Sequence, residues 1–232
     1  TRENTDSVVE NMDSPAFVGF SNYIWNTQYN LALAKKIKTK FPDCVILFGG
    51  HNVPPDNSFL EKYPFIDFLV HAEGEEAFRS LLLELLKDNP DFSSINNLSF
   101  RNSDGSFTKT AVEILDKTDY PSPYLTGVFD NIIKENPNMQ LDAILETSRG
   151  CPFNCSYCLS SVDAGVRFLP LDRVKAEIKR FSDSGAMTVK FVDRTFNADK
   201  KRALEIWKYC IELDTKTCFH FEIGADLLDD ET

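Results

Sequence analysis

The chain has 232 residues, of which 42% are hydrophobic and 26% charged, the balance of a globular protein of one large or two ordinary domains. Its net charge of −11 counts against a broad nucleic-acid footprint, which needs a basic face to neutralise phosphates. No apolar run approaches the ~20 residues that span a bilayer, and no signal-peptide pattern opens the sequence, so a cytoplasmic protein without membrane or nucleic-acid partners is expected.

Residues 16–20 (AFVGF), 44–48 (CVILF) and 65–70 (FIDFLV) are short apolar runs of the kind that form buried parallel strands. Between the first two, Leu33, Ile37 and Phe41 recur at helical spacing, and residues 75–86 (EEAFRSLLLELL) read as a further helix. Strands alternating with helices predict a doubly wound, Rossmann-like α/β domain over residues 1–88. The Leu81 to Leu86 stripe is expected in its core. The chain opens at Thr1 without an initiator Met, and a further first strand is expected upstream.

Residues 89–140 change character. Asp104-Gly105 between two polar-alternating segments signals a hairpin, and YPSPY (120–124) reads as an extended linker, because proline disfavours helix at the residue before it. From 141 the alternation resumes, with strands at 141–146, 188–192 and 217–223 and helices at 173–181 and 201–213. Residues 141–232 are therefore expected to begin a parallel βα barrel. Too few residues follow Cys158 for a full barrel of ~250 residues, so a piece of a longer enzyme is expected.

Three of the six cysteines, Cys151, Cys155 and Cys158, fall within eight positions directly after the strand at 141–146. Clustered thiols in such a chain point to metal. A structural zinc site closes on four ligands, and a fourth could come only from distant Cys210, Cys218 or a histidine. Three thiolates on an iron–sulfur cluster would instead leave one iron open to a small molecule. Cys44, Cys210 and Cys218 lie inside predicted strands or helices and are expected as small core residues.

The segment Cys151-Pro-Phe-Asn-Cys155-Ser-Tyr-Cys158, preceded by Ser148-Arg149-Gly150, resembles the CxxxCxxC signature of the radical S-adenosylmethionine (SAM) superfamily. Residues 192–197 (VDRTFN) and 219–228 (FHFEIGADLL) are similar to its second and third strand ends, and VGFSNYIWN, FGG and HAEGEEAF to the cobalamin-binding domain that precedes the barrel in one subgroup. The resemblance is strongest from 141 to 232. It implies a [4Fe–4S] cluster on the three cysteines and SAM as cofactor, with cobalamin as a third. Tyr157, Asp193, Arg194 and Glu222 become candidate SAM contacts, and Ser21, Tyr23, Gly49 and Gly50 candidate cobalamin contacts. Arg149 is expected to hold the cysteine loop, and His220 has little to commend it as a metal ligand.

The implied activity is reductive cleavage of SAM to a 5′-deoxyadenosyl radical, followed by methyl transfer to an unactivated centre. Alternatives left open are a methylthiotransferase or a rearrangement enzyme without cobalamin, and a non-catalytic cobalamin- or metal-binding module. The implied partners are a small-molecule or peptide substrate and a one-electron donor such as flavodoxin or ferredoxin. Two departures stand out: none of His51, His71 or His220 lies in the Asp-x-His-x-x-Gly loop that ligates cobalt in many cobalamin proteins, and Ala72-Glu73-Gly74-Glu75 stands where relatives often carry Gly-Glu-Gly-Glu.

Overall fold

The structure is a computed structural model that describes residues 3–136, 139–162 and 165–230, with Ser161 and Val162 described by backbone alone. The ends of the two expected domains at Thr1 and Thr232 lie outside the described residues. The chain forms two compact units, Thr1–Leu115 and Asp116–Thr232.

The first unit runs α1 (Thr5–Glu10), β1 (Phe17–Ser21), α2 (Thr27–Lys40), β2 (Val45–Gly49), α3 (Ser58–Lys62), β3 (Phe68–Val70), α4 (Glu75–Leu85), β4 (Leu98–Arg101) and β5 (Phe107–Lys109). One sheet takes the order β1-β2-β3-β4-β5, with β1, β2 and β3 parallel and β4 and β5 antiparallel. Strand alternation sorts its side chains onto two buried faces. Phe20, Ile46, Phe48 and Leu69 pack with Leu31, Ala34, Ile37 and Leu60 of α2 and α3, while Leu47, Phe68 and Val70 pack with Ala77 and Leu81 of α4. Helices thus cover both faces, as a doubly wound unit requires.

Two expectations change here. The hairpin around Gly105 forms, but β4 pairs with β3, so it extends the first sheet instead of belonging to a separate 89–140 segment. The leucine stripe of α4 is only partly core: Leu81 is buried, whereas Leu86 is 83% exposed, because its helical phase turns it away from the sheet. The end of β3 carries a histidine in the interior. His71 follows β3, its backbone N–H donates to Asn97 O at 2.9 Å, and its Nε2 lies 2.8 Å from Ser99 Oγ.

The second unit contains α5 (Asp130–Glu135), β6 (Asp142–Leu145), β7 (Ser148–Cys151), β8 (Gly165–Phe168), α6 (Leu171–Asp183), β9 (Thr188–Phe191), α7 (Lys200–Glu212) and β10 (Cys218–His220). β9 lies between β6 and β10, both parallel to it. Leu145, Val189 and Phe191 point to one face and bury Val174, Ile178, Phe181, Ala203 and Ile206 of α6 and α7. Both helices on one face of sequential parallel strands is the opening arrangement of a βα barrel. Between β6 and β9 the chain inserts a feature that periodicity did not disclose, the antiparallel ribbon β7–β8. YPSPY is not a free linker: Tyr124 packs edge-on against Phe181, 4.6 Å between centroids, and its hydroxyl donates to Ile144 O. Cys44 is buried as expected and Cys210 is half-buried, but Cys218 is exposed because it alternates onto the face opposite the helices.

Burial, with a smaller push from Lys109, holds the His71 imidazole down at about 4, below the ordinary ~6.5. The folded state keeps the ring neutral, so the unfolded chain binds the proton more tightly. This stability is present above pH ~6.5 and is lost as pH falls from there through ~4, amounting to about 3 kcal/mol. Chemical denaturation of the protein across that window should show the loss, and His71→Gln, which cannot take up charge, should remove that share of the pH dependence.

Candidate functional site

Cys151 ends β7 and stands opposite Gly165, the first residue of β8. The ribbon therefore closes the loop that carries Cys155 and Cys158. Within it the Cys158 N–H donates to Cys155 O at 3.1 Å. None of the three cysteines is in a disulfide, and Cys151 and Cys155 are partly buried while Cys158 is exposed. Hydrogen bonds from the Ser160 backbone and hydroxyl, aided by the Arg194 charge, lower the Cys158 thiol below its ordinary range, which favours the thiolate that metals take. Among the described residues no three His, Cys, Asp or Glu side chains converge tightly enough to hold a single ion. Three thiolates on one loop are a donor set that fits a cube, whose irons take one thiolate each. Burial pushes the Cys210 thiol up to about 12.

The loop owes its place to residues just past β9. Asp193 is 1% exposed and accepts hydrogen bonds from Thr147 N at 3.1 Å, Thr147 Oγ1 at 2.8 Å and the Ser148 hydroxyl. It thereby ties the end of β9 to the start of β7, three residues before Cys151. Its expected contact with SAM is not the arrangement found: both carboxylate oxygens are engaged inside the protein. Arg202 of α7 completes the clamp, donating to Leu169 O at 2.8 Å and Thr147 O at 3.4 Å with its guanidinium over the Phe168 ring. Burial disfavours the Arg202 charge, and Asp193 is foremost among the carboxylates that restore it. Between them, buried Thr195 brings its Oγ1 to 3.6 Å from Cys151 Sγ. Arg149, expected to hold the cysteine loop, pairs with Glu146 at 3.0 Å and lies over Tyr120.

The other predicted SAM contacts are accessible. Arg194 is exposed and near enough to Cys158 to influence its thiol. Glu222 is also exposed, and its Oε1 lies 3.2 Å from Lys190 Nζ. In register, Ile144, Lys190 and His220 form a row across the sheet on the face away from α6 and α7. Tyr157 is 92% exposed, so it neither covers the cysteines nor packs into the core.

In the first unit, the expected cobalamin residues gather at the strand ends, where Ser21 and Gly49 are in register. Gly50 is exposed, but it has no room for a side chain. Its φ is +99° and an added Cβ would stand 2.9 Å from Asn22 O, so glycine is needed for the approach of the neighbouring loop. Buried Asn22 donates its N–H to Gly49 O at 2.7 Å and its side-chain amide to Asn52 O at 3.1 Å. Asn26 and Asn30 both donate to Ser21 O, at 2.9 and 3.1 Å. What the loops present outward is aromatic: Tyr23 stacks on Trp25 at 4.7 Å and 3°, with His51 5.8 Å from Tyr23. Trp25, 65% exposed, was overlooked in the sequence although it stands two residues from Tyr23.

Asp193→Asn, which puts an amide against the Thr147 N–H, is expected to lower stability by about 3 kcal/mol. Exposed Arg194→Ala should change it by no more than about 0.5 kcal/mol. Chemical denaturation of the two variants separates a structural Asp193 from an accessible Arg194. In the first unit, Gly50→Ala should cost about 2 kcal/mol from its positive φ alone, read in the same way.

No protein-family model matches the chain. The chain is 34% identical over 212 residues to the cobalamin-dependent radical SAM methyltransferase TokK of Streptomyces tokunonensis, covering 88% of this chain and 30% of that protein. It is 32% identical over 188 residues to 2-(S-pantetheinyl)-carbapenam-3-carboxylate methyltransferase of Streptantibioticus cattleyicolor, covering 78% of this chain and 28% of that protein. It thus spans less than a third of either. Its fold matches that of OxsB, a cobalamin-dependent SAM radical enzyme solved with aqua-cobalamin and SAM, with a TM-score of 0.73 over 99% of this chain and 34% of that one, at 19% identity. With its cysteine loop on a βα barrel opening and a doubly wound unit before it, the chain is a homologue of cobalamin-dependent radical SAM methyltransferases, and its fold is that of OxsB.

Proposed function

We propose that this chain is part of a cobalamin-dependent radical SAM methyltransferase, with a [4Fe–4S] cluster on Cys151, Cys155 and Cys158. The observation that carries the reading is the loop that bears three thiols outside any disulfide and is closed at its base by the β7–β8 ribbon. Reductive cleavage of SAM to a 5′-deoxyadenosyl radical is the chemistry such a cluster supplies when bound, and cobalamin adds methyl transfer to an unactivated centre.

The protein's own share is binding and exclusion of water. Arg194, exposed beside Cys158, is suited to the SAM carboxylate, since a guanidinium pairs with it bidentately. Glu222, on the accessible side of the sheet beyond β10, is suited to a ribose hydroxyl, with Lys190 Nζ 3.2 Å from its Oε1 to orient it. Tyr157 can close over the adenine, as an exposed ring not held by packing. In the first unit, Ser21 and the stacked Tyr23–Trp25 pair offer a polar edge and a flat apolar face for a corrin, while Gly49 and Gly50 act by keeping the loops in place. The electron comes from an external donor of the flavodoxin or ferredoxin kind. The substrate is a small molecule or peptide, in line with the small carbapenam named for one relative.

The test is anaerobic reconstitution of the full-length protein with iron and sulfide. The wild type should gain the broad brown absorption of a [4Fe–4S] cluster and release 5′-deoxyadenosine when given SAM and reductant. Cys155→Ala should lose both to background. Equal product from the two proteins would end the enzyme reading, and failure to retain added corrinoid would remove methyl transfer from it.

A further inference from the structure

We infer that the Thr195 hydroxyl is a hydrogen-bond donor to the Cys151 sulfur that raises the reduction potential of the cluster. The inference rests on the reading of Cys151 as a cluster ligand. Thr195 Oγ1 lies 3.6 Å from Cys151 Sγ, within reach of a hydrogen bond to sulfur, whose radius exceeds that of oxygen. In a free thiol either atom could donate. Once Cys151 is a metal-bound thiolate it has no proton, so the hydroxyl must be the donor.

A hydrogen bond to a ligating sulfur withdraws negative charge, which accumulates on reduction, so it stabilises the reduced cluster more than the oxidised one. Thr195 is buried, where water screens little and the interaction is stronger than at a surface.

Its neighbours leave the hydroxyl little freedom. Asp193, two residues before, is hydrogen-bonded to Thr147 and Ser148. Phe196 is wedged among Phe191, Phe221 and Trp207, with centroids at 5.2, 4.5 and 5.6 Å, and its N–H donates to Glu222 O at 2.9 Å. Asn197 exchanges two hydrogen bonds with Gly224, at 2.9 and 2.8 Å. The same Asp193 bonds fix the start of the strand that ends in Cys151. Donor and acceptor are therefore set from both sides by one clamp, the situation in which an outer hydrogen bond tunes a metal site reproducibly.

The experiment is a redox titration, followed by electron paramagnetic resonance, of the reconstituted full-length protein and of Thr195→Val and Thr195→Ser. The Val variant keeps the shape and removes the donor. Its midpoint should fall, with the reduced fraction at the wild-type midpoint lowered by about tenfold in ratio, or ~59 mV for one electron. The Ser variant should stay at the wild-type midpoint, and melting temperatures report any merely structural effect. If the wild type forms a cluster and the Val variant has the same midpoint, the inference is overturned while the cluster reading stands. If the wild type forms no cluster, the cluster reading fails first. Should the Val variant hold no cluster, Thr195→Ala takes its place; if neither holds one while Ser does, Thr195 serves assembly and the inference is again overturned.

Discussion

Asp193 is a carboxylate withdrawn from water at the end of a buried strand, and such a charge is tolerated only when hydrogen-bonded and electrostatically compensated. Its donors are Thr147 N, Thr147 Oγ1 and Ser148 Oγ, and its compensating cation is Arg202. The interaction joins the end of β9 and the first turn of α7, neighbours in sequence, to the start of β7, more than forty residues earlier. β7 leads directly to Cys151, so the requirement to satisfy one buried charge also places the first thiol. The other two follow from the closure of the loop by β8.

The second unit divides its chemistry by the two-residue period of its strands. One face is apolar and bound to α6 and α7 through Leu145, Val189 and Phe191. The other carries Lys190, His220 and, one step further, Glu222, all accessible. A sheet with one apolar and one polar face, its loops gathered at the strand C-termini, supports a site whose scaffold is rigid while its contact residues remain free to meet a ligand. The aromatic group of Phe191, Phe196, Phe221 and Trp207 lies under those loops and gives them their rigidity.

The first unit builds its loops by different means. Asparagine side chains take the place of regular backbone pairing at the strand ends, with Asn22, Asn26 and Asn30 satisfying backbone carbonyls and Asn52 donating to the Thr27 hydroxyl. Gly50 permits two loops to touch, and Ala72 follows β3 with a φ of +52°, a conformation that an L residue adopts only when its surroundings impose it. Strain and polar cross-links gather at the C-terminal edge of the sheet, the edge where open α/β sheets bind ligands.

Much of this was legible in the residues. Alternating apolar strands and amphipathic helices announced two α/β units, because a strand buried on both faces has to be apolar throughout and a helix covering it has to be amphipathic. The spacing of Cys151, Cys155 and Cys158 announced the metal chemistry, since ligand spacing on a loop is a local property. Periodicity could not reveal the ribbon β7–β8, whose pairing joins Cys151 to Gly165 across a loop and whose strands bear no clean apolar alternation. Nor could it say that Asp193 faces inward, that Gly50 is filled by Asn22, or that Leu86 and Cys218 turn outward. Those outcomes depend on which neighbours the chain brings together from far along its length. The sequence by itself determined the elements and the thiols, which are matters of local pattern. Only the tertiary structure decided which polar groups meet, because a buried donor or acceptor is satisfied by whatever the packing sets beside it.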